Sequence, residues 1–201
     1  MIDALFGSKT RVKLLHLFLN HPGQSFYVRE ITRLIDEQIN SVRRELSNML
    51  EVGVITSDTA DNKLYYEVNQ RYTYYLALRA IFADEKIDAP AQRAAASQPN
   101  EQYTQLLNEL GTGLRLAILA GVLVRGSTSP VDILLVGSAS ALEVKNAMKM
   151  IEKLEGREVN YTLLSSEDFY YRQSIRDKFI AQVLNGKHSV IIDKDNVLSQ
   201  N

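Results

Sequence analysis

The stretch REITRLIDEQINSVRRELSNMLEVGVI, residues 29–55, decides how the first part of this chain folds. Ile31, Leu34 and Ile35 recur at the spacing of one helical face, so REITRLID reads as a short helix with those three inward. After a tight corner, EQINSVRRELSNMLEVG repeats the pattern with Ile39, Val42, Leu46, Met49 and Leu50, and Gly53 closes the second helix. With that apolar line turned to a core, Gln38, Asn40, Ser41, Arg43 and Arg44 fall on flanking and opposite faces. Arg suits guanine, Gln and Asn suit adenine, and Ser suits backbone oxygens, so the set fits base edges and phosphates. Free N–H groups at the start of the same helix also suit a phosphate.

Reading outward completes the element order. From Ser8 as N-cap, KTRVKLLHLFLNH puts Val12, Leu15, Phe18 and Leu19 on one helical face, and Pro22-Gly23 ends the helix. SFYV is a very short strand. VITSDT and KLYYEVN alternate like the arms of a hairpin around ADN. RYTYYLALRAIF is a further helix with Tyr74, Leu78, Ile81 and Phe82 along one stripe and Tyr75 beside it. That stripe suits closure of the core, or pairing with its twin in a symmetric dimer. Arg29 and Arg33 on the first helix of the pair suit crossing contacts to the backbone, and Lys63, beside Asn62 at the hairpin tip, suits a wing contact.

Helix, strand, two helices, hairpin and helix is the order of a winged helix-turn-helix. The stretch 29–55 resembles the helix-turn-helix and wing entry of bacterial and archaeal winged-helix transcriptional regulators. That resemblance implies double-stranded DNA as partner and a homodimer as the working form. Against it, residues 1–83 hold ten Lys and Arg and nine Asp and Glu, and Glu37 and Glu45 are expected beside the arginines, where they would repel phosphate. A solvated surface, or a winged helix used for protein contacts, accounts for the same polar face.

The bulk composition narrows the classes. The chain has 201 residues, 45% hydrophobic and 23% charged, with Lys+Arg 23 against Asp+Glu 24. Any DNA affinity must therefore come from a local arrangement of cations. There is no Cys, which excludes disulfides, thiolate catalysis and zinc fingers and fits a reducing cytoplasm. MIDALFGSKTR lacks the apolar core of a signal peptide, and LRLAILAGVLV is too short to span a bilayer and contains Arg115. A cytoplasmic protein without membrane contact is expected. The Ala-, Gln-, Ser- and Pro-rich run over residues 84–102 reads as a linker, which separates a domain over 1–83 from one over 103–201.

The second domain reads as a helix at NEQYTQLLNEL, a strand at LRLAILAGVLV, the turn RGSTSP and a strand at VDILLVG. A helix at SALEVKNAMKMIEKLEG, a strand at REVNYTLL, a long helix at SEDFYYRQSIRDKFIAQVLNG and a strand at HSVIID follow. The fold class is α+β, a small mixed sheet covered by helices. Residues 114–195 resemble the minimal nucleotidyltransferase domain of the polymerase-beta type, in the apolar strand, the Arg-Gly turn and SPVDILLVG. Metal-assisted transfer needs two acids at i and i+2 of one strand, which alone places both on one face for magnesium. Asp132 occupies the second acid position, while its same-side neighbours Pro130 and Leu134 bind no metal. The family's phosphate-gripping Gly-Ser falls on Gly121-Val122, and the third acid falls on Asn160, with Glu158 the weaker counterpart.

The resemblance therefore implies a transferase-like domain without transferase activity, with no catalytic residue, metal or cofactor. Arg125, Gly126, Ser127 and Asp132 stand as a relic nucleotide turn, with Thr128 and Ser129 as further donors. A nucleotide or protein effector, or oligomerisation, is the role left to the domain; a simple hairpin corner is the plain reading of the turn. Two other functions stay open: a nucleotidyltransferase with an atypical acid set, and an antitoxin-like adaptor. LFGSKTR is not a P-loop, and His16, His21 and His188 lack ligand-type neighbours. The aromatics of EDFYYRQSIRDKF could stack on single-stranded nucleic acid, but their spacing favours a core-facing helix.

Overall fold

The computed structural model describes residues 5–84 and 99–199. The chain divides into two compact units, residues 1–95 and 96–201. Most of the expected linker, residues 85–98, lies outside the described residues.

In the first unit α1 (Lys9–Asn20) starts where Ser8 accepts the Arg11 N–H at 3.3 Å. Its buried face holds Val12, Leu15, Phe18 and Leu19 as expected, and Leu14 as well. The apolar stripe is this wide because α1 packs against three other helices and a strand. A two-residue strand, β1 (Phe26–Tyr27), runs directly into α2 (Val28–Ile35), and Asp36 turns the corner in the left-handed region, φ 49°. The helix α3 (Ile39–Glu51) follows.

Two of the expected inward residues, Leu34 and Ile39, are exposed. Ile31 and Ile35 sit one turn apart on the buried line of α2, and Leu34 is about 100° round the axis from Ile35. Ile39 is the first residue of α3, beyond the corner and short of the core. Val42, Leu46 and Met49 are buried and Leu50 is half-buried, and Glu45 joins the inner face unexpectedly.

The strands β2 (Ile55–Ala60) and β3 (Lys63–Val68) are joined by Asp61-Asn62, both at positive φ (50° and 57°), the geometry of a two-residue hairpin turn that follows the sheet's twist. The sheet order is β1-β3-β2, all antiparallel. Phe26 faces Tyr66 and Ile55 faces Val68 on the core side, while Tyr27 faces Tyr65 on the outer side. The first unit thus has the element order and strand pairing of a winged helix-turn-helix.

The closing helix differs from expectation. α4 (Tyr75–Phe82) begins four residues later than read, and Tyr75 and Phe82 are its buried residues. Tyr74 and Ile81 are 63% and 51% exposed, and Leu78 is half-buried. The inner line runs 75–82 because Phe82 is fixed by ring contacts with Phe6 and His16, at 4.9 and 5.2 Å.

The second unit opens with α5 (Pro99–Asn108), so the last residues of the expected linker are helical, with Pro at the first position where its missing N–H costs nothing. Then come β4 (Leu114–Leu119), β5 (Ile133–Gly137), α6 (Ala141–Glu155), β6 (Tyr161–Leu164), α7 (Ser166–Ser174), α8 (Lys178–Asn185) and β7 (Ser189–Asp193). The sheet order is β6-β5-β4-β7; β5 and β6 are parallel across α6, and the other pairs are antiparallel. Leu114, Ala117, Leu119, Ile133 and Leu135 form one core with α5 and α6 residues such as Leu107, Val144 and Ile151. Leu116, Ile118, Leu134 and Val136 form a second with Phe169, Ile180 and Val183 of α7 and α8. Covered on both faces, β5 reads as an unbroken apolar run, and so does β4 after the exposed Arg115 near its start.

Three expectations here are corrected. The strand read to Val124 ends at Leu119 and gives way to a 3₁₀ turn over Gly121–Leu123, because Gly121 takes φ +49°. Asp132 precedes β5 rather than lying in it. The single long helix is two, broken at Arg176 (φ 52°), after which Asp177 caps α8 by accepting the N–H groups of Phe179 and Ile180 at 3.0 and 3.2 Å. Within α7 Tyr171 faces solvent, whereas Phe169 is in the core. Among the described residues no helix is long and apolar enough to cross a membrane. Asp177→Ala should lower the unfolding free energy by about 1 kcal/mol through loss of this cap, read by urea denaturation, and Asp177→Asn should restore most of it.

Candidate nucleic-acid interface

The polar face of α3 is built by what lies beneath it. Val42, Leu46 and Met49 point into the core, so Asn40, Arg43, Arg44 and Ser47, at steps of three and four, share the outer line and are all exposed. Arg44 is open to solvent, its side chain 72% exposed. Gln38 precedes the helix as its N-cap residue and is exposed, and Ser41 is half-buried. Ser47 was missed by the sequence reading, although the helical period that places Asn40 and Arg43 places it too.

The acids expected to spoil this face are occupied from the other side. Glu45 is only 3% exposed, and Arg11 of α1 holds it through Nη2 at 2.9 Å and Nε at 3.0 Å. Lys13, two residues further along α1, holds Glu37 at 2.8 Å and donates to the Ile35 and Asp36 carbonyls at 2.9 and 3.3 Å. Thr10 donates to Glu37 as well, at 3.4 Å. Burial pushes the Glu45 carboxyl up, but hydrogen bonds from Ser8 and Arg11 and the Arg11 charge outweigh it and hold the group below the usual carboxylate range. Glu37 is lowered chiefly by its hydrogen bond from Lys13, against a smaller opposing effect of burial. Arg44 stands 3.9 Å from the far oxygen of Glu45, a weak contact that leaves its guanidinium in solvent. The remaining acid of α3, Glu51, lies two turns along from Arg44, about 10 Å up the axis.

Arg29 and Arg33 are exposed on α2, and Lys63 is exposed at the first position of β3. Sequence reasoning treated them as separate contacts; the structure gathers two of them on Tyr27. The Lys63 ammonium lies over the Tyr27 ring, 5.3 Å from its centre, and Arg33 Nη2 donates to the Tyr27 hydroxyl at 3.0 Å. Arg33 Nε also donates to the Arg29 carbonyl at 3.3 Å. No sequence signal marked Tyr27, because the strand that carries it is two residues long.

In the second unit the loop over residues 121–132 is held by hydrogen bonds between its side chains and backbone. Asp132 is wholly buried, and its two oxygens accept the backbone N–H groups of Val122 at 2.8 Å and Asn160 at 2.9 Å. Ser127 Oγ accepts from Gly121 N at 2.9 Å and Ser129 N at 3.4 Å, and Ser129 Oγ donates to the Val131 carbonyl at 2.7 Å. The amides that would line a phosphate cradle, those of Gly121 to Val124, are thus bonded within the loop. A Cβ on Gly121 would lie 2.0 Å from Asp132 Oδ1, so this glycine is required by the carboxylate's seat. Arg125 and Gly126 are exposed, with the Lys187 side chain beside Gly126. Ser127 and Asp132, expected as parts of a relic nucleotide turn, accept hydrogen bonds from backbone amides. Asn160 enters through its main chain, at an exposed position.

Among the described residues no group of three or more His, Asp or Glu is placed to hold a metal ion. A surface hollow of about 610 Å³ runs along α5, lined by Glu101, Thr104, Gln105, Asn108 and Glu109, and none of the residues above borders it. Compared with protein-family models, with curated proteins and with solved structures, the chain gives no match.

The buried pair beneath α3 sets a pH dependence. Glu45 and Glu37 have lowered folded-state values, so the stability they contribute is complete above the ordinary carboxylate range and is lost as pH falls through their folded values. Glu45→Gln should cost about 2 kcal/mol at neutral pH, less than for a fully buried pair because Arg11 stays over a third exposed. The same variant should show a flatter fall in stability on acidification, measured by urea unfolding across pH. Asp132→Ala should destabilise by about 2–4 kcal/mol, since two hydrogen bonds to a carboxylate are lost; unchanged unfolding would show that the staple carries no weight.

Proposed function

We propose that this chain is a transcriptional regulator that binds double-stranded DNA through the first unit. The observation that carries the reading is the neutralisation of Glu45 and Glu37 by Arg11 and Lys13, which leaves Arg43 and Arg44 as the exposed charges on the central part of α3. A unit with nearly balanced charge gains a one-signed reading face in this way. In the proposed mode α3 enters the major groove, Arg43 and Arg44 meet guanine or phosphate, and Gln38, Asn40 and Ser41 meet adenine or the backbone. Arg29, Arg33 and Lys63 hold phosphates on the flanks.

The working form in this reading is a homodimer. The exposed Tyr74 just before α4 and Ile81 on it, with Leu78 half-buried between them, support pairing of that helix with its twin. The second unit is read as a polymerase-beta-type domain that transfers no nucleotide. The wholly buried Asp132, with both oxygens on backbone amides, supports this, because a metal ion needs an open carboxylate. The unit is left with oligomerisation, or response to an effector.

The test is replacement of Arg43 and Arg44 together by Ala. Both are exposed, so unfolding free energy should move by less than about 0.5 kcal/mol. Duplex affinity should fall, and the slope of log affinity against log salt should shrink by about 0.9 for each phosphate contact removed. Unchanged affinity would remove α3 as the reader.

A further inference from the structure

Two cations from distant parts of the first unit meet on one phenol. Tyr27 ends β1 and is the N-cap residue of α2, so it stands where the sheet and the helix pair join. Its register partner is Tyr65, and the two rings meet edge to face at 6.0 Å on the outer side of the sheet. Lys63, two residues before Tyr65, reaches back from the hairpin and lays its ammonium over the Tyr27 ring. Arg33, from the opposite side, donates to the hydroxyl.

Such an arrangement gains little in the free protein. An exposed cation–π contact is worth about 0.5–1 kcal/mol, and two positive groups on one ring repel each other. Two acids share this face of the sheet: Asp58, opposite Tyr65, and Glu67, two residues along β3. Asp58 accepts the Thr59 N–H at 2.8 Å. Among the described residues neither acid forms an ion pair with Lys63 or Arg33. Among the described residues the charge concentrated at Tyr27 is therefore met by no ion pair, and an anion relieves it. The hydroxyl, having accepted from Arg33, keeps its own proton for donation to an oxygen of that anion.

We infer that Tyr27, Arg33 and Lys63 form one phosphate-binding cluster, with Tyr27 as the positioning residue that joins the wing to α2 and also donates to the same DNA strand. The inference rests on the reading of the first unit as a duplex-DNA binder and adds a residue to it. Through Tyr27 the hairpin, whose tip is held by two residues of turn, is tied to the helix pair before DNA arrives, so less ordering is left for binding.

The experiment measures the anisotropy of a fluorescein-labelled duplex pool of random sequence against the full chain over a salt series. It uses the wild type, Tyr27→Ala, Tyr27→Phe, Arg33→Ala with Lys63→Ala, all three changes together, and Arg43→Ala with Arg44→Ala. Tyr27→Ala should weaken binding roughly tenfold at low salt and reduce the salt slope by between one and two contacts' worth, about 0.9 each. Tyr27→Phe keeps the ring and strand pairing and loses only the hydroxyl, so it should lose about half of that effect. In the Arg33 and Lys63 double variant, adding Tyr27→Ala should change little, because the residues act as one unit. A wild-type slope in Tyr27→Ala, or fully additive losses, overturns the cluster, while a loss in the Arg43 and Arg44 variant keeps the DNA reading intact. A wild-type chain that binds no duplex overturns both.

Discussion

Glu45 lies on the inner side of α3 among Val42, Leu46 and Met49, and Arg11 meets it there from α1 with two nitrogens. A carboxylate in that position has one tolerable arrangement, with a cation against it, because an unpaired buried charge costs several kcal/mol. The pair therefore sets the rotation of α3 about its own axis and its seat on α1. Once that rotation is set, Asn40, Arg43, Arg44 and Ser47 have no choice but the outer face. The Lys13–Glu37 pair does the same at the corner before α3, where Lys13 also closes the carbonyl end of α2. Two cations that raise the unit's formal positive charge are thus structural, and two acids that lower it are hidden from the polar face. The sum of charges misleads about the surface, since opposite signs are separated between the inside and the outside of one helix pair.

The second unit applies similar physics to a different end. Asp132 is seated between the 3₁₀ turn after β4 and the chain entering β6, one oxygen for each. It joins segments 10 and 28 residues away along the chain, and the absence of a side chain on Gly121 makes its place. Ser127 satisfies a further amide of the same turn. The amides of Gly121 to Val124 are thus taken by acceptors of the protein itself.

Much of the architecture was legible in one dimension. The periods of α1, α3 and α6, the hairpin over residues 55–68 and the α+β class all follow from apolar spacing, caps and turn residues, which are local properties. Errors cluster where a short element has more than one apolar line to offer: Leu34 and Ile39 at the corner, Tyr74 and Ile81 at the start and end of the closing helix, Tyr171 in the short helix before the break at Arg176. In each, spacing allowed two faces and a neighbour chose between them, as Phe6 and His16 did for Phe82. The site followed the same division. Arg43 and Arg44 were identified by period, whereas Tyr27 was invisible because its importance comes from Lys63, 36 residues away.

By itself the sequence determined which residue types each element carries, and hence that a helix with Arg, Asn, Gln and Ser outward would stand beside a hairpin. Only the tertiary structure decided which charges remain to act. Coulomb attraction and hydrogen bonding depend on distance in space, and Arg11 reaches Glu45 across 34 positions as closely as a neighbour would. Linear spacing can propose a charged face, but it cannot say which members of that face are already held from behind.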